Sequence, residues 1–305
     1  MDQDKKKGRV VAFHNRKGGV GKTTLSGNFA ALMAKKVRAK GGKVMYLDLD
    51  TQANASQDFL GFTVPYLIQN PVDFPNVLNL VGVDDPESNI HVPKLPIPPL
   101  VQKTNLNLYT IAQHKQMDLF LSKAYGLDYG IFMEPFEELR KEYDWIILDL
   151  PPAQDIVTRA ALAASDYLIM PVGNSNSTVQ YVPEFIKEDF EIIKAYNENI
   201  TFLGMVHNLA DRYSVNFYEE TLKNLSKEYG IYLYDTEIRN SVGLRDINSD
   251  SLKSLKTRAN MNRCVVACDN FIFKTYPKAY KDFEDFATET IHLIEKAEKK
   301  GGKTQ

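Results

Sequence analysis

The chain has 305 residues, room for one large domain or two small ones at roughly 150 residues per domain. Its 44% hydrophobic and 25% charged content excludes wholesale disorder and fibrous repeats. With 37 basic and 39 acidic residues the net charge is −2, which does not predict nucleic-acid binding but leaves room for a local basic patch. Two cysteines cannot build a disulfide framework and suit a reducing compartment. The opening MDQDKKKGR lacks the apolar stretch of a signal peptide, and no apolar run approaches the roughly 20 residues that span a bilayer. The expectation is a soluble, cytoplasmic protein.

In chain order, RVVAFH at 9–14 reads as a buried strand, NRKGGVGKTT as a glycine-rich turn, and 25–40 as an alanine-rich helix ended by Gly41-Gly42. KVMYLDL at 43–49 is a second buried strand. Strand, helix and strand within about forty residues make a βαβ unit and so a parallel sheet. Residues 62–105 hold eight of the 14 prolines, which argues against regular structure across them. They read as an insertion with one short helix near 77–81. Strands are then expected at 107–112, 144–150, 167–172, 201–208 and 231–234, and helices at 129–141, 182–196, 216–229 and 279–296. Residues 297–305 read as a frayed tail. One α/β domain accounts for the chain.

The strongest chemical signal is Gly18-Gly19-Val20-Gly21-Lys22-Thr23-Thr24, placed after a strand and opening a helix. Phosphate oxygens need several N–H donors converging on one point. Glycines let the backbone turn inward, and the helix adds its N-terminal N–H groups and positive dipole end. Lys22 then reaches the outer phosphates, and Thr23 supplies a hydroxyl for Mg²⁺. The loop departs from the general G-x-x-x-x-G-K-[ST] form, because Arg16 stands where the first glycine belongs.

KGGVGKTT resembles the deviant phosphate loop of the ParA/MinD ATPases, and Asn15-Arg16-Lys17 looks like that loop's Asn-x-Lys entry. YLDLDTQANAS at 46–56, DWIILDLPPA at 144–153 and DTEIRNSV at 235–242 are similar to three further segments of the family, in the same order. The matches run from Phe13 to about Ala287. The resemblance implies a single P-loop NTPase domain, a mostly parallel twisted sheet with helices on both faces. It also implies a Mg²⁺-dependent ATPase.

The resemblance further implies roles for single residues. Lys17 crosses a dimer interface to the partner's nucleotide, adding a second cation beside Lys22 where charge develops on the phosphoryl group. Asp50 orients the attacking water. Asp48, two residues earlier and on the same side of an extended chain, supports the metal site or the loop. Thr51 stands where the family has proline. Asp149 holds Mg²⁺ through water, and Pro151-Pro152 begins the loop that senses the γ-phosphate. Asn208 and residues 238–240 lie near the adenine ring.

Other members of this broad class fit less well. A membrane-binding MinD-type ATPase calls for a basic amphipathic last helix, whereas this one carries Asp282, Glu284, Asp285, Glu289 and Glu295. An iron–sulfur relative needs a cysteine in the switch loop or a C-x-x-C pair. Cys264 and Cys268 have three residues between them and read as buried small hydrophobes. The five histidines form no ligand pattern. A small-molecule ligase would share the phosphate loop but not the 46–56 segment. The resemblance is closest to ParA partition ATPases. These close an ATP sandwich dimer, bind DNA without sequence preference on the nucleoid, and are stimulated by a ParB-like centromere-binding or adaptor partner. Basic candidates for DNA are Arg239, Arg245, Lys253, Lys256, Arg258 and Arg263, with an earlier group at Lys35, Lys36, Arg38, Lys40 and Lys43. No helix-turn-helix precedes the loop, so sequence-specific operator binding is not expected.

Overall fold

The computed structural model describes residues 7–52, 75–88, 90–100, 102–103, 108–111, 113–114, 116–210, 215–240 and 277–301. Its strands are β1 Arg9–Phe13, β2 Val44–Asp48, β3 Val83–Asp85, β4 Ile90–Val92, β5 Gln102–Lys103, β6 Leu108–Ile111, β7 Trp145–Asp149, β8 Tyr167–Val172, β9 Thr201–Ala210 and β10 Ile238–Arg239. Eight of them form one sheet in the order β10-β9-β8-β1-β7-β2-β6-β5. All neighbours in it are parallel except β5 against β6.

Successive side chains on the strands enter two separate cores, as the period of two requires. Val10, Ala12, Met45, Leu47, Ile146 and Leu148 face one core. Val11, Phe13, Val44, Tyr46, Trp145 and Ile147 face the other. All five residues of β2 and of β7 are buried, the signature of a parallel sheet covered on both sides.

The second core is closed by α1 (Lys22–Arg38) and by α10 (Pro277–Gly301). Phe13, Phe29 and Phe286 meet there with ring centroids 5.7–6.3 Å apart, each pair adding about 0.5–1.5 kcal/mol beyond its area. The first core is closed by α4 (Met117–Tyr125), α5 (Met133–Glu142), α6 (Ile156–Ala163), α7 (Asn176–Glu184), α8 (Phe190–Tyr196) and α9 (Val215–Tyr229). A π-helical turn, Phe185–Asp189, joins α7 to α8 just after Pro183.

Several expectations are corrected. The sequence reading assigns no helix to 117–125 or 156–163. Both are helical, and α6 is capped by Asp155, whose carboxylate accepts the Thr158 N–H at 2.9 Å. The strand expected at 231–234 shrinks to one bridge, Leu233 to Met205. Between residues 62 and 105 the described part holds α2 (Leu78–Val81), the β3–β4 hairpin, α3 (Ile97–Leu100) and β5. The last helix continues beyond 297 to Gly301. Glu298 there pairs with Arg9 at 2.6 Å, and the Arg9 guanidinium lies over the Trp145 ring. The rest of the expected tail, residues 302–305, lies outside the described residues.

Candidate nucleotide site

Strands β1, β7 and β2 end level with one another: Phe13 and Asp48 are both register partners of Asp149. The loops after them therefore meet over the carboxyl end of the sheet, where doubly wound folds bind ligands. The loop after β1 runs into α1. Gly19 and Gly21 have φ of 76° and 80°, a region L side chains rarely adopt. At Gly21 there is a second constraint, since an added Cβ would lie 2.5 Å from Asn208 Nδ2.

Lys22 opens α1 and is buried, its Nζ donating to the carbonyls of Asn15 at 2.9 Å and Lys17 at 3.3 Å. Burial lowers its pKa, and the charges of Asp149 and Asp50 oppose that shift. Asp149 is 1% exposed, and neither carboxylate oxygen has a hydrogen-bond partner among the described residues. Desolvation pushes its pKa up to about 7. The Thr23 hydroxyl acts against that shift, the Asp50 charge adds to it, and Lys22 and Tyr46 also oppose it. Asp50 is half-buried. Its Oδ1 accepts the Gln52 N–H at 3.0 Å, and its own N–H donates to Asp48 at 3.2 Å. Asp48, fully buried, thus shapes the loop that carries Asp50. His14, at the foot of the phosphate loop, is fully buried. Desolvation, with the Lys22 charge beside it, lowers its pKa to about 3, so it is neutral at physiological pH.

Gly18, Gly19, Val20, Gly21, Lys22, Thr23 and Thr24 thus form a strand–loop–helix cradle, with Asp50 and Asp149 facing Lys22. Lys17 is exposed. Its N–H is held by Asn15 Oδ1 at 2.9 Å, and Asn15 Nδ2 is in turn held by the Pro171 carbonyl at 2.8 Å. Its ammonium has no partner among the described residues. A Mg²⁺ ion fits the donor set: an orphaned, buried carboxylate beside a threonine hydroxyl at the mouth of a glycine cradle. No group of three or more His, Cys, Asp or Glu among the described residues could hold a metal ion.

Asn208 packs against the phosphate loop. It is buried beneath the phosphate loop, its Nδ2 donating to the Val20 carbonyl at 2.7 Å while its Oδ1 accepts the Leu209 N–H. Of the basic candidates, Arg239 pairs with Asp282 and donates to the Lys278 carbonyl, tying β10 to α10. Lys35 lies over Tyr280, and Lys43 pairs with Glu142. Arg245, Lys253, Lys256, Arg258 and Arg263, with Cys264 and Cys268, lie outside the described residues. No described helix is long and apolar enough to cross a membrane.

The sequence reading missed the polar groups behind the loop that follows Asp149. Gln154 Nε2 and the Tyr181 hydroxyl both donate to the Asp189 carboxylate, and Arg159 reaches its other oxygen at 3.4 Å. The available signal was Asp189 on the otherwise apolar stripe of Phe185 and Ile193.

The family model described as an AAA domain (AAA_31) matches residues 8–202. The sporulation initiation inhibitor protein Soj of Bacillus subtilis is 26% identical over 246 residues, 79% of this chain and 88% of its own. The chromosome-partitioning ATPase Soj of Treponema pallidum is 24% identical over 80% of this chain and 88% of its own. Among solved structures, a single-residue variant of Cyanothece McdA in complex with ATP superposes with a TM-score of 0.67 at 17% identity, over 93% of this chain and 96% of its own. Cobyrinic acid a,c-diamide synthase from Mycobacterium smegmatis, with ATP analogue and magnesium, reaches 0.61 at 19% identity, over 83% and 98%. Likeness at these identities is one of fold, and it spans more than one kind of chemistry.

Proposed function

Because this chain belongs to the AAA-domain family, in its ParA/MinD class of P-loop ATPases, we propose that it hydrolyses ATP and uses the cycle as a ParA-type DNA partition switch. One observation carries the ATPase reading. The buried Lys22 ammonium faces a buried carboxylate, Asp149, that has no hydrogen-bond partner among the described residues, at the mouth of a glycine cradle. Two such buried charged groups are costly in an empty protein and become favourable when triphosphate and cation enter.

The glycine-loop N–H groups and Lys22 hold the phosphates. Asp149, through water, and the Thr23 hydroxyl would hold Mg²⁺. The cation, when bound, neutralises charge on the phosphate oxygens. Asp50, whose Oδ2 has no hydrogen bond among the described residues, orients the attacking water. Lys17 extends to the nucleotide of a second copy and closes an ATP-dependent homodimer. The dimer doubles a basic surface that is weak in one copy, and so binds DNA of any sequence. A ParB-like partner speeds hydrolysis and release. The Soj relatives and the 235–242 segment support this reading over other cargo-positioning ATPases.

Binding of random-sequence DNA with ATP and with ADP, at two salt concentrations, tests the proposal. Wild type should bind with ATP, poorly with ADP, and less as salt rises. Lys17→Ala should lose DNA binding while keeping affinity for ATP. Equal binding in both nucleotides rejects the switch. Binding to anionic liposomes without DNA binding moves the chain to a MinD-type role.

A further inference from the structure

Behind the loop that follows Asp149 lies a connected set of polar side chains that the hydrolysis scheme above does not use. Asp189 is 5% exposed and sits in the π-helical turn. It receives hydrogen bonds from Gln154, Tyr181 and Arg159. Arg159 also donates to the Tyr129 hydroxyl at 2.8 Å, which fixes its direction. The Tyr181 hydroxyl lies 3.5 Å from His14 Nε2, and the Pro151 carbonyl lies beside the His14 ring. The last residue of the loop 151–154 is therefore held by Asp189, while its first, Pro151, lies beside the buried ring of His14 at the end of β1. The outer face of Tyr181 carries the Arg16 guanidinium, which pairs with Glu184 at 2.7 Å and immediately precedes Lys17.

Packing alone does not call for this chemistry. Apolar residues of similar volume would fill the space about as stably, since buried charges recover their desolvation cost only in good geometry. A buried hydrogen-bonded network does confer a single arrangement. π-helical turns also occur often at functional sites.

We infer that His14, Tyr181, Asp189 and Gln154 are positioning residues for ATP hydrolysis, holding the loop after Asp149 in its working place and linking it through Tyr181 to Arg16 beside Lys17. The inference rests on the ATPase reading. Preorganised groups lower the barrier because they need no rearrangement as charge develops. Loosening the loop should therefore slow turnover more than it weakens ground-state binding.

The test uses Tyr181→Phe, which keeps the ring and removes the hydroxyl, Gln154→Ala, and the double variant. Steady-state ATP hydrolysis and ADP affinity are measured on the full chain. Each single variant should lower kcat by about 5–10-fold with KM and ADP affinity within about twofold, the pattern of a lost transition-state contribution. The double variant should be no slower than the slower single, because both break one network. Unchanged kcat, raised kcat, or fully multiplicative losses would each overturn the inference while leaving the ATPase reading intact. Amide hydrogen exchange supplies a readout independent of turnover. Residues 153–155 should exchange at least about tenfold faster in Tyr181→Phe. Unchanged exchange there overturns the inference whatever the kinetics. Absence of turnover in wild type instead removes the ATPase reading, and the exchange result still decides whether the network holds the loop.

Discussion

The two ends of the central strands treat buried polar groups in opposite ways. At the amino end, Arg140 donates from Nη1 to the Gly8 carbonyl at 2.8 Å and from Nη2 to the Ala164 carbonyl at 3.2 Å, and it pairs with Asp166. Asp166 in turn accepts the Val10 N–H at 2.7 Å, and Asp144 accepts the Lys43 N–H at 2.7 Å. At the carboxyl end, Asp149 keeps both oxygens unpartnered among the described residues. The same strands β1, β7 and β8 run between the two. One end uses its polar atoms to hold the chain together. The other leaves a buried carboxylate without a hydrogen-bond partner, and the stability of the rest of the fold tolerates that.

Breaking a pair at the amino end should cost the most. Arg140→Ala leaves Asp166 and two backbone carbonyls without their donor, a loss of about 3 kcal/mol or more in urea unfolding. ATP affinity, measured at a temperature where the variant is folded, should stay within about twofold, because Arg140 lies at the opposite end of the strands. Lys22→Ala should do the reverse. ATP affinity falls by roughly 100-fold, the scale of one buried charged contact, while unfolding stability is unchanged or higher. Normal ATP affinity in that variant would remove the phosphate-loop assignment. Asp50→Ala completes this pair, with kcat lowered by about 100-fold and ATP retained, so that an ATP-bound dimer accumulates on size-exclusion chromatography.

Two smaller effects sharpen the contrast through pH. The folded chain binds the Asp149 proton more tightly than the unfolded chain does, because the pKa rises from 3.8 to about 7. Its contribution to stability falls as pH rises across that window and is level above it. Asp149→Asn should therefore stabilise the nucleotide-free protein by about 1–2 kcal/mol at pH 8, while Mg²⁺-dependent hydrolysis is lost. His14 has the opposite slope. Its pKa falls from 6.5 to about 3, so the unfolded chain binds the proton more readily, and stability is lost as pH drops below 6.5. His14→Gln should remove about 1 kcal/mol of the difference between pH 7.5 and pH 5.5, read as the change in urea midpoint.

Much of this was legible in residue order because the signals are local. Apolar runs of five or six residues mark strands buried on both faces, and β1, β2, β7 and β8 lie where those runs predict. The phosphate loop needs only glycines followed by Lys-Thr between a strand and a helix, and all of these are neighbours in the chain. Helix α6 was equally legible, since Asp155 directly before the apolar run Ile156–Val157 is an N-cap signal. Its alanines were passed over between two stronger motifs.

The chain order of residues was enough to set the βαβ unit and the cradle residues Gly18 to Thr24, and to place Asp50 and Asp149 at strand ends. Each depends on spacing within a few residues of a strand end. Only the tertiary structure decided which groups are satisfied and which are left open. Asn208 supports the Val20 carbonyl from 188 positions away. Arg239 is taken up by Asp282, 43 residues on. The Gln154–Asp189 contact forms only because α7 ends in a π-helical turn beside the loop. Hydrogen-bond satisfaction is a property of positions in space, and residues far apart in the chain meet only when the sheet has brought their strands level.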